Sequence, residues 1–292
     1  MELAELARWT PIRFDLSGPV PTVDWADLSE ERFVEPFFDQ TVARWASGPR
    51  ARPLVRTGLE ALVILDNEPS LEPAGMIFHL SRCGSTLVSR MLGTLPGTVV
   101  ISEPSPLNAL LGLDPGRVSE AMLVRSVRLL VRALGRCRHG DEHHLVLKCT
   151  SWNIRRREIL AAAFPETPWA WVQRDPAHVL ASLLAKPPGW LGLQAVPPRT
   201  ARLFGLDPQA VPARARVEFA AVAVQLPRHF VETAHQAGQF VDGRHFHPMA
   251  QIPLAHLAGR MHQRGDGNAN LPSQKQRDPG CHEEDEQSDQ RQ

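Results

Sequence analysis

One stretch constrains this chain more than any other, because an apolar run breaks into a glycine-containing loop and restarts at once as a helix. Residues 78–92 read FHLSRCGSTLVSRML. A strand, a tight loop and a helix N-terminus in that order expose unpaired backbone N–H groups, and the helix dipole adds partial positive charge to them. Such a turn is a natural seat for an anion. Gly84 lets the backbone approach a ligand closely, Ser85 and Thr86 add hydroxyl donors, and Arg82 adds a charge that can grip phosphate oxygens through two bonds. The Walker pattern GxxxxGK[ST] is not met. Ser85 stands where a nucleotide kinase carries lysine, and the basic residue falls two positions before Gly84.

Two further segments extend the pattern. Residues 99–104, VVISEP, are a short apolar run ending in Glu103. Residues 145–184 read strand, Lys148, helix, strand, Arg174, helix. Strands are expected at 76–80, 98–102, 144–147 and 169–173, alternating with helices. That alternation implies an α/β fold: a central parallel sheet with helices on both faces, a three-layer sandwich. Ligands then gather at the carboxyl ends of the strands, where Arg82, Glu103, Lys148 and Arg174 all fall.

In this order the loop, Lys148 and the RDP…S segment resemble the P-loop sulfotransferases that use 3′-phosphoadenosine 5′-phosphosulfate (PAPS). The resemblance is strongest to the branch with arginine in the phosphosulfate loop, which includes the protein-tyrosine sulfotransferases, and it covers about residues 75–185. It implies that Arg82, Cys83, Gly84, Ser85 and Thr86 hold the 5′-phosphosulfate, with Cys83 contributing mainly backbone. It implies further that Glu103 is the general base, Lys148 neutralises the bridging oxygen or the sulfuryl group, and Arg174 with Ser182, eight positions on, binds the 3′-phosphate. Arg82, Glu103 and Lys148 are thus the catalytic candidates. PAPS is the implied co-substrate, with no metal, and the acceptor is a small molecule or peptide bearing a hydroxyl or amine.

Each residue also has a plainer reading. Glu103, followed by Pro104, could simply cap the next helix. Lys148 ends a buried-type run, LVLK, where a charge needs a partner, so a structural ion pair is the alternative. Asp175 and Pro176 suit the N-cap and first position of a helix, and His178 reads as a surface residue. Three histidines and two acids in 139–144 invite a metal reading, but histidines at such a turn are usually solvated.

Rival functions bear on the same residues. A P-loop small-molecule kinase would need a loop lysine and magnesium ligands. A cysteine phosphatase would need arginine six positions after its thiolate, but Cys83 meets one only at Arg90. A catalytically silent nucleotide-binding protein of sulfotransferase type is the main non-enzyme alternative.

Composition narrows the setting. Formal net charge is zero, so no global basic field argues for nucleic acid. The four cysteines show no CxxC spacing, no secretory segment is apparent, and no apolar run reaches about 18 residues. A cytoplasmic protein without a membrane span is the expectation. Residues 1–74 read as an N-terminal cap packed on the core, with helices over 29–45 and 58–65, and a lid over the acceptor site is the alternative role. Residues 75–226 form the sulfotransferase-like domain, with a long helix over 117–138 and another over 213–225. Residues 227–292 are a divergent tail whose composition from about 265 is that of a disordered segment. A shifted reading frame after about Ala210 is the other explanation of that tail.

Overall fold

The computed structural model describes residues 3–195 apart from 17, 67, 114 and 115, together with 203, 204, 206, 207, 209 and 219–225. Its centre is a four-stranded parallel sheet formed by β4 (Pro73–His79), β5 (Thr98–Ser102), β6 (His144–Lys148) and β7 (Trp169–Val172), in the order β5-β6-β4-β7. Parallel strands buried on both faces should read as continuous apolar runs, and these do. Alternate side chains divide between two layers. Met76, Phe78, Leu145, Leu147, Ile101 and Trp171 join the main core with α5 (Glu120–Leu134) and α6 (Arg157–Ala163). Ile77, Val146, Val100 and Val172 point the other way and pack with Val88 and Leu92 of α3 (Ser85–Leu92). The chain is therefore α/β, a parallel sheet flanked by helices, compatible with a three-layer sandwich.

The N-terminal residues contain more β structure than the sequence suggests. After a single turn, α1 (Leu3–Leu6), strands β1 (Thr10–Asp15), β2 (Thr22–Ala26) and β3 (Val55–Gly58) form an antiparallel sheet in the order β1-β2-β3. Asp24 locks the three together, accepting from Arg13 Nε at 2.6 Å and from Arg56 Nε at 2.6 Å. The bond from Arg56, aided by Arg13, outweighs burial and holds the Asp24 carboxyl below its usual range. Trp25, wholly buried, donates to Thr57 Oγ1 at 2.8 Å. Trp9, Phe14, Trp25, Phe38 and Trp45 belong to the same contiguous core as Met76 and Phe78, so this segment packs directly on the main sheet.

Several expected boundaries move. The helix expected over 29–45 is only α2, Phe38–Ala46. Pro36 disfavours helical backbone at Glu35, and Phe37 is extended with φ −138°. The helix expected over 58–65 is a 3-10 helix, Leu59–Leu65, and the long helix expected over 117–138 is α5, fifteen residues. A short helix, α4 (Ser105–Leu111), follows β5 and packs on β1.

The chain after β7 forms α7 (Pro176–Ala185) and a 3-10 helix, Gly189–Ala195. Residues 219–225 are helical, within the helix expected over 213–225. Phe204, Phe219, Ala220 and Ala223 build a small cluster with Trp152 and Leu180, and Val224 enters the main core. Residues 213–218 and the tail from 226 onward lie outside the described residues. No helix among the described residues is long and apolar enough to cross a membrane.

Candidate functional site

Four strands deliver their carboxyl ends to one edge of the sheet, and the candidate residues meet there. β4 ends at His79, and the Leu80 N–H donates to the Val172 carbonyl at 3.0 Å, tying the loop to β7. The chain then turns through two left-handed residues, Arg82 with φ 59° and Gly84 with φ 95°. Gly84 is the N-cap of α3, with no side-chain cap bond, and a methyl group added there would meet nothing within 4 Å. The glycine is needed for its dihedral, and the space in front of it is open. The helix therefore presents an uncapped N-terminus to open space, the arrangement that favours an anion.

Two of the expected contacts around this loop take a different form. Arg82 is exposed, and its Nε donates to Ser182 Oγ of α7 at 3.1 Å, across 100 residues of sequence. Ser182 thus pairs with Arg82, and no hydrogen bond joins it to Arg174 among the described residues. Arg174 follows β7, is exposed, and makes no side-chain hydrogen bond or ion pair among the described residues. Cys83 contributes more than backbone. Its Sγ donates to the Val172 carbonyl at 3.3 Å, fixing the loop tip against β7. Ser85, the first residue of α3, is buried, and Thr86 is half-buried.

Glu103 and Lys148 lie at the ends of β5 and β6, which are neighbours in the sheet. Glu103 has left-handed backbone, φ 51°, and its N–H donates to the Lys148 carbonyl at 2.7 Å. Its carboxylate forms an ion pair with Lys148 Nζ. Glu103 does not cap α4: that helix has Pro104 at its N-cap and no side-chain cap bond. Lys148 is wholly buried, whereas the Glu103 side chain keeps 22% of its surface exposed, so in this arrangement the glutamate is the member of the pair that meets solvent. Phe37, from the N-terminal segment, lays its ring 5.2 Å from Lys148 Nζ. That contact, with the bond from Ser105 Oγ to Asp39 Oδ1 at 2.7 Å, brings the N-terminal residues to the site.

A third charged partner escaped the sequence reading. His79, the last residue of β4, is buried, and its Nε2 lies 3.2 Å from Glu103 Oε1. Its position at the end of β4, two residues past Ile77, the register partner of Lys148, was the available signal. Burial pushes the His79 pKa down, but the nearby Cys83 and the Glu103 carboxylate overcome it and raise the value to about 9. Burial likewise raises Glu103, and His79 with Lys148 more than offsets this, holding the carboxyl down at about 2. Burial pushes the neighbouring Cys149 thiol up, so it stays neutral.

Other candidate features are structural. Asp175 caps α7, accepting from the N–H groups of Ala177 and His178 at 2.9 and 3.2 Å. His178 is exposed and pairs with Asp175. Glu142, in the histidine-rich turn, accepts the backbone N–H groups of Arg138 and His139. Among the described residues no group of three or more His, Cys, Asp or Glu side chains could hold a metal ion.

A groove of about 780 Å³ runs along the edge strand β5, between residues 31–36, α3 and the turn at 138–142, from Gly97 ahead of the strand to Ser102 at its end, and none of His79, Arg82, Glu103 or Lys148 lines it. Its walls include Phe33, Val34, Met91 and Val100, and it reaches Ser102, the residue before Glu103. No family model, curated protein or solved structure matches this chain.

Proposed function

We propose that the chain is a PAPS-dependent sulfotransferase on a P-loop type sheet, which moves a sulfuryl group to a hydroxyl or amine acceptor. The observation that carries this reading is the convergence of Arg82, Ser182, Glu103 and Lys148 on one end of the sheet, beside an uncapped helix N-terminus. The sheet order supports it, because the chain leaves β4 toward β5 and leaves β6 toward β7, in opposite directions across the sheet. That reversal opens a crevice at the strand ends, the usual ligand position in such folds.

The residues fit an anionic nucleotide. Arg82 and Arg174 are exposed guanidiniums without a carboxylate partner among the described residues, and the space at Gly84 is open. In this reading the loop and Arg82 hold the phosphosulfate, and Arg174 meets the 3′-phosphate from the next loop. Ser182 acts with Arg82 rather than with Arg174.

Lys148 has two possible partners in this reading. Without nucleotide it neutralises Glu103. A phosphosulfate above the loop offers it a stronger anion, and as Lys148 turns toward the bridging oxygen, Glu103 regains its affinity for a proton. Glu103 then takes the proton of the acceptor hydroxyl while the acceptor oxygen bonds to sulfur. The sulfur–oxygen bond to phosphate breaks, and its electron pair stays on the phosphate oxygen, beside Lys148. Positioning and charge stabilisation supply the acceleration, as in phosphoryl transfer.

Calorimetric titration with adenosine 3′,5′-bisphosphate tests the reading. Binding is expected, with adenosine 5′-monophosphate much weaker. At 100 times its Kd the bisphosphate should stabilise the fold by about 2.7 kcal/mol. Equal affinity for both nucleotides removes the 3′-phosphate assignment. Binding of the bisphosphate without sulfate transfer to any phenol, alcohol or amine favours a silent nucleotide-binding protein, and binding of ATP with magnesium instead favours a kinase.

A further inference from the structure

The charged cluster contains one group that sulfuryl transfer as described does not use. His79 is buried at the end of β4, and both of its ring nitrogens face oxygen atoms. Nδ1 lies 2.9 Å from the Leu80 carbonyl, which can only accept, so Nδ1 carries a proton. Nε2 lies 3.2 Å from the Glu103 carboxylate. A neutral ring protonated at Nδ1 would leave its unprotonated nitrogen 3.2 Å from that anion, and only the doubly protonated ring suits both neighbours. No ring nitrogen is left to accept a proton from a substrate, so His79 is not an alternative base.

We infer that His79 is a positioning residue, an imidazolium that keeps Glu103 oriented toward the acceptor while Lys148 leaves it for the anionic group. The inference rests on the sulfotransferase reading for its catalytic consequence, but not for the charge state of the ring. Two cations, Lys148 from β6 and His79 from β4, flank the single carboxylate of Glu103. The cluster therefore carries one excess positive charge beneath the proposed anion site. Its Nε2 contact with Glu103 is an ion pair without the alignment of a hydrogen bond, which leaves Glu103 free to settle onto His79 once Lys148 turns away.

The groups that face His79 are Glu103 beyond β5, Lys148 at the end of β6, the Cys83 thiol in the loop and the carbonyl of Leu80, the residue after its own strand. Glu103 and Cys83 favour the charged ring, while Lys148 opposes it. The contact with Cys83, whose Sγ is bonded to Val172, also links the base to the anion loop.

Two measurements decide the matter. The first uses wild-type protein with 15N-labelled histidine, the His79 signals being identified by their loss in His79→Gln. Both ring nitrogens are expected to remain protonated at pH 7.5. A neutral tautomer at that pH, or a titration midpoint at or below about 6.5, the ordinary histidine value, overturns the inference. Labelled Glu103 carboxyl signals in the same protein supply a check that needs no variant, since two flanking cations require a midpoint well below the ordinary value near 4.3.

The second measurement is the pH profile of sulfate transfer by His79→Gln. Removing one of the two cations raises the Glu103 pKa, so the acid limb of kcat/KM should move up by about one unit. Turnover should fall by about tenfold or more while the KM for nucleotide changes less than about threefold. An unchanged acid limb in a folded, active variant overturns the positioning role. A wild-type protein that transfers no sulfate sinks the functional proposal by itself, and the nitrogen titration still decides the charge of His79.

Discussion

Glu103 and Lys148 are joined twice, by a backbone bond of 2.7 Å from the glutamate N–H to the lysine carbonyl and by the ion pair between their side chains. The first bond continues the ladder between β5 and β6. The second places a wholly buried ammonium against a carboxylate that still meets solvent. Breaking such a pair from one side leaves a stranded charge, which costs about 3–5 kcal/mol. Lys148→Met is expected to lose stability of that order in urea unfolding, and Glu103→Gln combined with Lys148→Met should recover part of it. Additive losses in the double variant would mean that the pair is not coupled in the fold.

Catalysis should be more sensitive than binding at Glu103. Glu103→Gln keeps the shape and removes the proton acceptor, so turnover with labelled PAPS is expected to fall by about 10²-fold or more. Affinity for adenosine 3′,5′-bisphosphate should stay within a few fold. A variant that melts early and loses the nucleotide would assign Glu103 to structure alone.

Within the loop, charge and backbone can be separated. Arg82→Ala removes a charge-assisted contact worth roughly 1.5–3 kcal/mol, so nucleotide affinity should fall about 10- to 150-fold. Cys83→Ala loses only the bond to Val172 and the contact with His79, and is expected to weaken binding less. If Cys83→Ala abolished activity with binding intact, thiol chemistry would have to be considered.

Gly84→Ala tests the dihedral and the open space together. Its positive φ makes a side chain cost about 1–2 kcal/mol, a moderate fall in Tm. The added methyl also projects into the open space where the anion would sit, so bisphosphate binding should drop by more than the lost stability explains. Unchanged affinity in calorimetry would place the ligand elsewhere.

Stability should depend on pH at both limbs. His79 has a folded pKa raised from 6.5 to about 9, so its contribution is complete below pH 6.5 and is lost as pH rises through 9. Glu103 is lowered from 4.5 to about 2, so its contribution is complete above pH 4.5 and is lost as pH falls toward 2. Urea midpoints should therefore be highest between about pH 4.5 and 6.5 and decline on the alkaline side. In His79→Gln the alkaline decline should flatten. A wild-type profile that is level from pH 6.5 to 9 would contradict the charged histidine.

The sequence by itself determined the parallel sheet. Strands over 98–102, 144–147 and 169–173 stand out in the sequence, within a residue of where the structure has them, because a strand buried on both faces is apolar throughout, a local signal that needs no partner to be visible. The loop at 82–86, the Asp175 cap and the strand-end positions of Glu103 and Lys148 were legible for the same reason: each follows from a few consecutive residues. Only the tertiary structure decided what those side chains touch. β1, β2 and β3 went unseen because the pairing of 22–25 with 55–58 is a contact between segments thirty residues apart, and Pro11 with its register shift blurs the alternation of β1. Ser182 found Arg82 instead of Arg174 because the placement of α7 brings its hydroxyl over the loop. His79 became part of the site because the order β5-β6-β4 stacks three strand ends side by side, and a burial shared by three elements is a property of their packing, which no single segment encodes.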